Sequence, residues 1–422
     1  GFKGTETKRA QRDWKKNKTI LSGEIQGDNN PVNNSYHVVF VPETADRTTV
    51  IDGFVITGGY AVDKPEFSGG GGLQNQGTPV IANCVFENNQ ARVGGGLFTW
   101  SRPSITNCVF TKNYAVEDGG GMAIHLDSPN VVDCTFSYNR ASGFGGGLSY
   151  YGSKNILLKN ATFINNQSLS KEGGALFMAH SKGAVVNSTF FSNSAKMGGG
   201  GIATFKSSPR IVNCTLFKNR SERKDLGHDL CTTGSSEGGG RTEVFNSILW
   251  GDEGGRIRFY TDAIPSVSYS IIMEGFPGGA SVLKANPRLK NPADNGGATL
   301  TCALGEGSAA LDAGGTHLAP KVDQRGMPRP AGKGIDLGAY EEQKPVYKSD
   351  AEPKKMPEFS AGPSGESKPV QKPPQKPLPG SGKPPVLRPV KPAKPGGKPA
   401  LPSVKKPPGV KPPVAKPPGI KK

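Results

Sequence analysis

Two carboxylates are the first residues to weigh as chemistry. Asp118 and Glu172 each stand immediately before a glycine cluster, at 119–121 and 173–174. A carboxylate pair cleaves glycosidic bonds at a separation of about 5 Å with retention, or about 6.5–9.5 Å with inversion. These two lie two repeats apart, which strand spacing converts to roughly 10 Å. That is too far for a retaining pair and marginal for an inverting one. The equivalent positions elsewhere hold Val93, Phe144 and Met197. The residues one place earlier are Arg92, Glu117, Gly143, Lys171 and Lys196, whose alternating sign reads as a solvated ladder of weak ion pairs. Residues 234–238 spell G-x-S-x-G, but in a glycine-rich stretch without the strand–turn–helix elbow that motif needs. The histidines (His37, His125, His180, His228, His317) show no metal-ligand spacing among themselves, and no Cys-x-x-Cys occurs. No catalytic residue, metal or cofactor is therefore assigned.

A stripe of rings is the better candidate for binding. Three residues past the first apolar residue of each glycine cluster stand Trp100, His125, Tyr151, Ala179 and Phe205. If Leu97, Met122, Leu148, Leu176 and Ile202 point inward, these point outward. Aromatic faces stacked along a surface can take sugar rings face-on. The alternative is that a loop, or the long segment after Asn219, covers them.

What must position these residues is a repeat. Phrases of the type NCVF begin at Asn83, Asn107, Asp133, Asn160, Asn187, Asn213 and Asn246, about 26 residues apart. A fixed period of this size means a solenoid. Within each repeat, residues two apart share a strand face. Stacking then makes one inward ladder of Phe86, Phe110, Phe136, Phe163, Phe190 and Leu216. A second runs through Cys84, Cys108, Cys134, Ala161, Ser188, Cys214 and Ser247. The asparagines that open each phrase form a turn ladder whose amides bond the turn and the neighbouring coil. Four cysteines fall in the second ladder as small buried hydrophobes. Cys231 and Cys302 lie outside it and are the disulfide candidates.

The alternation of Gly-Gly-(Gly/Ala)-(Leu/Met/Ile) with Phe-x-x-Asn (Phe86…Asn89, Phe110…Asn113, Phe136…Asn139, Phe163…Asn166, Phe190…Asn193) resembles the repeats of the chlamydial polymorphic outer-membrane proteins. It covers about half of the chain and implies a surface-exposed β-helix but no particular activity. The β-barrel of those proteins has no counterpart here. The opening, Gly1-Phe2-Lys3-Gly4 through Thr19-Ile20-Leu21-Ser22-Gly23, resembles the first coils of large secreted bacterial β-helix proteins. It begins in mid-motif, so a signal peptide and N-terminal cap are expected upstream. Asp294-Asn295-Gly296-Gly297, Leu311-Asp312-Ala313-Gly314, Asp323-Gln324-Arg325-Gly326 and Ile335-Asp336-Leu337-Gly338-Ala339-Tyr340-Glu341 resemble a choice-of-anchor Q module, which implies a secreted bacterial surface protein.

The expected architecture is all-β: a right-handed parallel β-helix over residues 1–285, a β-rich capping module over 286–342, and an extended Lys/Pro-rich tail over 343–422. The tail holds eighteen Lys and Arg against four Asp and Glu, or +14 of the formal +17, together with 22 of the 36 prolines. Such a segment cannot bury a core and favours polyproline-II-like chain. It reads as a tether to an anionic polymer, polysaccharide or lipopolysaccharide, or else as a solvated spacer. Nucleic acid ranks last, because Tyr347 and Phe359 are its only aromatics. No run of about 18 apolar residues exists to span a membrane. The expected role is adhesive or structural at the bacterial cell surface, binding glycans or associating end to end with copies of itself. The alternatives are a β-helix polysaccharide lyase or glycoside hydrolase, and a filament or lattice subunit.

Overall fold

A computed structural model describes residues 3–8, 11–28, 30–63, 69–234 and 240–343. The chain winds into stacked coils whose strands pair in parallel with those one coil away, in sheets of 19, nine and seven strands. One coil shows the plan. Val80–Ala82 and Val85–Glu87 lie in the long sheet, Gln90–Ala91 in the short sheet and Leu97–Thr99 in the second sheet. Helical structure among the described residues is limited to short 3-10 turns such as Pro31–Asn33 and Lys224–Leu226.

At least three left-handed residues bend each coil, as Asn83, Asn88 and Gly94 do in one of them. Asn83, Asn107, Asp133, Asn160, Asn187, Asn213 and Asn246 have φ between 45° and 56°. This is a region where Asn and Asp are tolerated and most residues are not. Each such residue breaks the strict alternation of the strand, so Cys84 and Phe86 both point inward, as do Ile81 and its equivalents. Further round, Gly94 (φ 62°) turns the chain into the second sheet, and a Cβ on the adjacent Gly95 would lie 2.4 Å from the Tyr114 carbonyl oxygen. The glycine cluster is thus a close approach of backbones that only glycine allows.

The interior is two ladders side by side. Phe86, Phe110, Phe136, Phe163 and Phe190 stack face to face, with centroids 4.6–4.8 Å apart and planes within 7°. That matches the strand spacing of about 4.8 Å. Cys84, Cys108, Cys134, Ala161, Ser188, Cys214 and Ser247 fill the narrow bend beside them and are fully buried. Next to the phenylalanines runs a buried amide ladder, Asn89, Asn113, Asn139, Asn166, Asn193 and Asn219. Each side-chain nitrogen up to Asn193 donates to the Oδ1 of the next asparagine at 2.9–3.1 Å. From Asn113 onward each also donates to the carbonyl of the phenylalanine one coil below.

Residues 286–343 lie along the outer face of the long sheet rather than across the end of the stack. Thr299 Oγ1 donates to the Asn160 carbonyl at 2.8 Å, and Gln324 donates to Thr162 Oγ1 at 2.8 Å while accepting from Thr189 Oγ1 at 2.7 Å. Asn187 donates to the Val322 carbonyl, and the Ala339 amide donates to Thr215 Oγ1. Within the segment, Arg329 and Glu341 form a fully buried pair at 2.9 Å, and the Arg325 guanidinium lies 3.7 Å over the Tyr340 ring. This cover buries Asn187, Asn213 and Asn246, whereas Asn83, Asn107, Asp133 and Asn160 stay half-buried. The segment has four antiparallel bridges and, after Leu283, no extended strand among the described residues.

Replacing Asn139 by Ala strands the backbone N–H of Asn113 and one of its two side-chain N–H groups, the other keeping the Phe86 carbonyl. At about 1–3 kcal/mol for each buried group left unpaired, Asn139→Ala should lower unfolding stability by several kcal/mol. The half-exposed corner variant Asn165→Ala should cost less. Urea denaturation compares them, and equal costs would contradict a structural amide ladder.

Candidate functional site

The outward face of the second sheet carries the aromatic stripe. Strand register aligns His125, Tyr151, Ala179, Phe205, Thr233 and Tyr260 in one column. Trp100 follows directly on its strand, Leu97–Thr99, and is 40% exposed. His125, Tyr151 and Phe205 are half-buried. Two residues earlier on each strand a second outward column runs through Phe98, Ala123, Ser149, Phe177, Ala203 and Cys231.

The two columns interlock. Phe98 meets Trp100 and His125 edge-on at 4.9 and 5.0 Å, and His125 meets Tyr151 at 5.2 Å. Tyr151 then reaches Phe177, which stacks on Phe144 at 4.2 Å. Above Tyr151 the column falls to Ala179, only 2% exposed, before Phe205 rises again. That missing ring opens a cleft of about 430 Å³. Tyr151, Phe144, Phe177 and Phe205 form its walls, Ala179, Ala203 and Cys231 its floor, and Lys171, Glu172 and His180 its rim.

Burial sets the electrostatics. Asp118 is pushed above the ordinary carboxylate range by burial, although it accepts from the Phe144 amide at 2.6 Å and the Tyr151 hydroxyl at 3.2 Å. Glu172 is likewise raised by burial. Burial, together with Asp118, holds the Tyr151 phenol well above its usual value. Burial lowers His125 and pushes the Cys231 thiol up to about 12. Asp118 is therefore occupied in orienting Tyr151, and Glu172 is the carboxylate at the mouth of the cleft.

Residues 21–160 and 123–272 match the family described as the right handed beta helix region. The chain belongs to the right-handed β-helix family. A comparison with curated proteins finds no match.

The fold separates Cys231 from Cys302. Cys231 and Cys302 are free and buried, which corrects the expected disulfide. Cys231 sits with Phe177, Ala179 and Ala203 on the second sheet. Cys302 belongs to the segment laid on the long sheet, next to Ala303 and Leu304 of a different cluster. Among the described residues, no three His, Cys, Asp or Glu side chains converge as metal ligands. The Ser of the G-x-S-x-G stretch and the tail from residue 344 lie outside the described residues.

Sequence reasoning picked the column of Trp100, His125, Tyr151 and Phe205 but not Phe98, Phe177 and Phe144, which complete the cleft. The signal was present: Phe177 is two before Ala179, so strand alternation puts both on one face.

Because Asp118 has its carboxyl pKa raised, its contribution to stability is full below the ordinary carboxylate value and is lost as pH rises through the raised one. Asp118→Asn should therefore match the wild type in thermal midpoint near about pH 3 and gain on it toward about pH 7. A difference that does not change with pH would contradict the assignment.

Proposed function

We propose that this β-helix is an extracellular bacterial surface protein that binds glycans through the cleft on its second sheet, in an adhesive role. The observation that carries this reading is the gap at Ala179. Coil spacing of about 4.8 Å leaves roughly 10 Å between the Tyr151 and Phe205 levels. That space accepts a pyranose ring with an aromatic side chain above and below it. An apolar, ring-lined hollow with a few polar groups at its rim is the usual form of a carbohydrate or small-ligand site. The repeat pattern's resemblance to chlamydial surface proteins and the resemblance of residues 294–341 to an anchor module support a surface location. No helix among the described residues is long and apolar enough to cross a membrane. The Lys/Pro-rich tail is proposed to hold an anionic surface polymer by charge, an attraction that salt weakens.

A second reading has one observation in its favour. Glu172, raised in pKa at the mouth of the cleft, has the character of a general acid. This would make the protein a polysaccharide lyase or hydrolase.

Titration with short β-linked glucose and N-acetylglucosamine oligomers, followed by isothermal calorimetry and by an assay for new sugar ends, separates the two. Binding without new ends is expected. Tyr151→Ala and Phe205→Ala should each weaken binding about two- to tenfold, from roughly 0.5–1.5 kcal/mol per ring. New ends that vanish in Glu172→Gln would replace adhesion with catalysis. Binding untouched by both ring variants would remove the cleft from the proposal.

A further inference from the structure

The corner between the long and short sheets carries a second groove, of different chemistry. Its column of corner residues, Asn88, Lys112, Tyr138, Asn165, Ser192 and Lys218, has φ between 52° and 57° throughout. Asn88 and Asn165 are residues the left-handed region favours; Lys and Tyr are not. The cost at Lys112 and Tyr138 brings no visible packing in return. Lys112 is exposed, and Tyr138 is 54% exposed. The fold requires a left-handed backbone at this corner but not these two side chains, which leaves their choice to function.

The surroundings suit an anion. A groove of about 600 Å³ is lined by Asn88, Gln90, Lys112, Tyr114, Tyr138 and Arg140, with no carboxylate in its lining. Several exposed cations elsewhere on the coils are matched, Arg92 with Glu117, Arg102 with Asp127, Lys196 with Glu222 and Arg210 with Glu243, while others such as Lys154 and Lys182 stand alone among the described residues. Lys112 and Arg140 carry no ion pair among the described residues. The nearest carboxylate on these columns, Glu87, lies one coil below, in register with Thr111, so it bounds the groove from beneath. Tyr114 is held by its hydroxyl, 2.8 Å from Ser142 Oγ, and stacks in register between Gln90 and Arg140.

We propose that this groove binds an acidic polysaccharide lying along the solenoid axis. Lys112 and Arg140 make charge-assisted bonds to its carboxylates. Tyr138 supports a sugar ring, and Asn88 and Gln90 take its hydroxyls. The coil rise of about 4.8 Å is close to the length of one pyranose in an extended chain. Lys112 and Arg140, one coil apart, therefore meet successive uronate units. This site is independent of the apolar cleft, which lies on the second sheet and shares no lining residue with it.

The test uses the full chain, so the basic tail is common to every sample, with a short fluorescent oligogalacturonate as probe. Lys112→Ala/Arg140→Ala should weaken binding about fivefold or more, while Lys154→Ala/Lys182→Ala, which removes the same charge from another exposed face, should stay within about twofold. Tyr138→Asn alters no charge and installs a residue the corner prefers. It should keep or raise the thermal midpoint while lowering affinity about threefold. Equal loss in both charge variants would mean non-specific attraction and overturn the site. So would no loss in either, or an unchanged affinity in a folded Tyr138→Asn protein. Variants of Tyr151 and Phe205 should leave oligogalacturonate binding intact, which keeps this outcome distinct from that of the aromatic cleft.

Discussion

Everything in this protein depends on coils lying in register, one strand spacing apart, and a buried chain of amides enforces that register. From Asn113 upward, each ladder Oδ1 accepts both the backbone N–H and the side-chain N–H of the asparagine one coil below. A coil displaced by one residue would strand these groups in an interior without water, a penalty the phenylalanine stack alone could not impose because dispersion is indifferent to direction. The amides also run one way, so the last donor needs an acceptor that asks for nothing back. Asn219 finds it in Asp229, a buried carboxylate whose second oxygen faces Arg256 at 3.3 Å. Burial raises the Asp229 carboxyl and the Arg256 charge opposes that rise. The ladder thus ends on an ion pair, which resolves its directionality inside the core.

A rigid register turns single residues into columns. The second sheet can hold a cleft because one column lacks a ring at Ala179 while its neighbours keep theirs. The corner can hold a line of cations because left-handed residues recur at every coil. The long sheet instead uses its outward threonines, Thr162, Thr189 and Thr215, to bond residues 299–339. That face is covered over part of the upper coils by residues 286–343, while the second sheet and the corner keep the two grooves described above.

Much of the inner architecture could be read from spacing alone. The Phe86 and Cys84 ladders follow from a constant period and strand alternation, both local properties of the sequence. The amide ladder was harder to place. Asn83 and Asn89 recur with the same period, and the conspicuous phrase-opening row drew the structural role. The structure gives the continuous buried ladder to the Asn89 row. Asn88 is left-handed and reverses the alternation, so Asn89 turns inward, an effect of backbone conformation that composition does not reveal. The course of residues 286–343 along the side was also out of reach, since it rests on contacts such as Gln324 with Thr162 across more than a hundred residues. The disulfide expectation failed for the same reason: Cys231 and Cys302 were candidates because they lie outside the ladder, and the fold puts Cys231 on the second sheet and Cys302 in the segment laid on the long sheet.

Crystals of the full chain grown with a short neutral β-linked oligosaccharide test most directly whether coil register dictates ligand register. The expected electron density shows a pyranose over Ala179 between Tyr151 and Phe205, with the sugar chain continuing along the solenoid axis toward His125 and Trp100. A sugar bound away from the second sheet, or one crossing the coils without touching these rings, would contradict it.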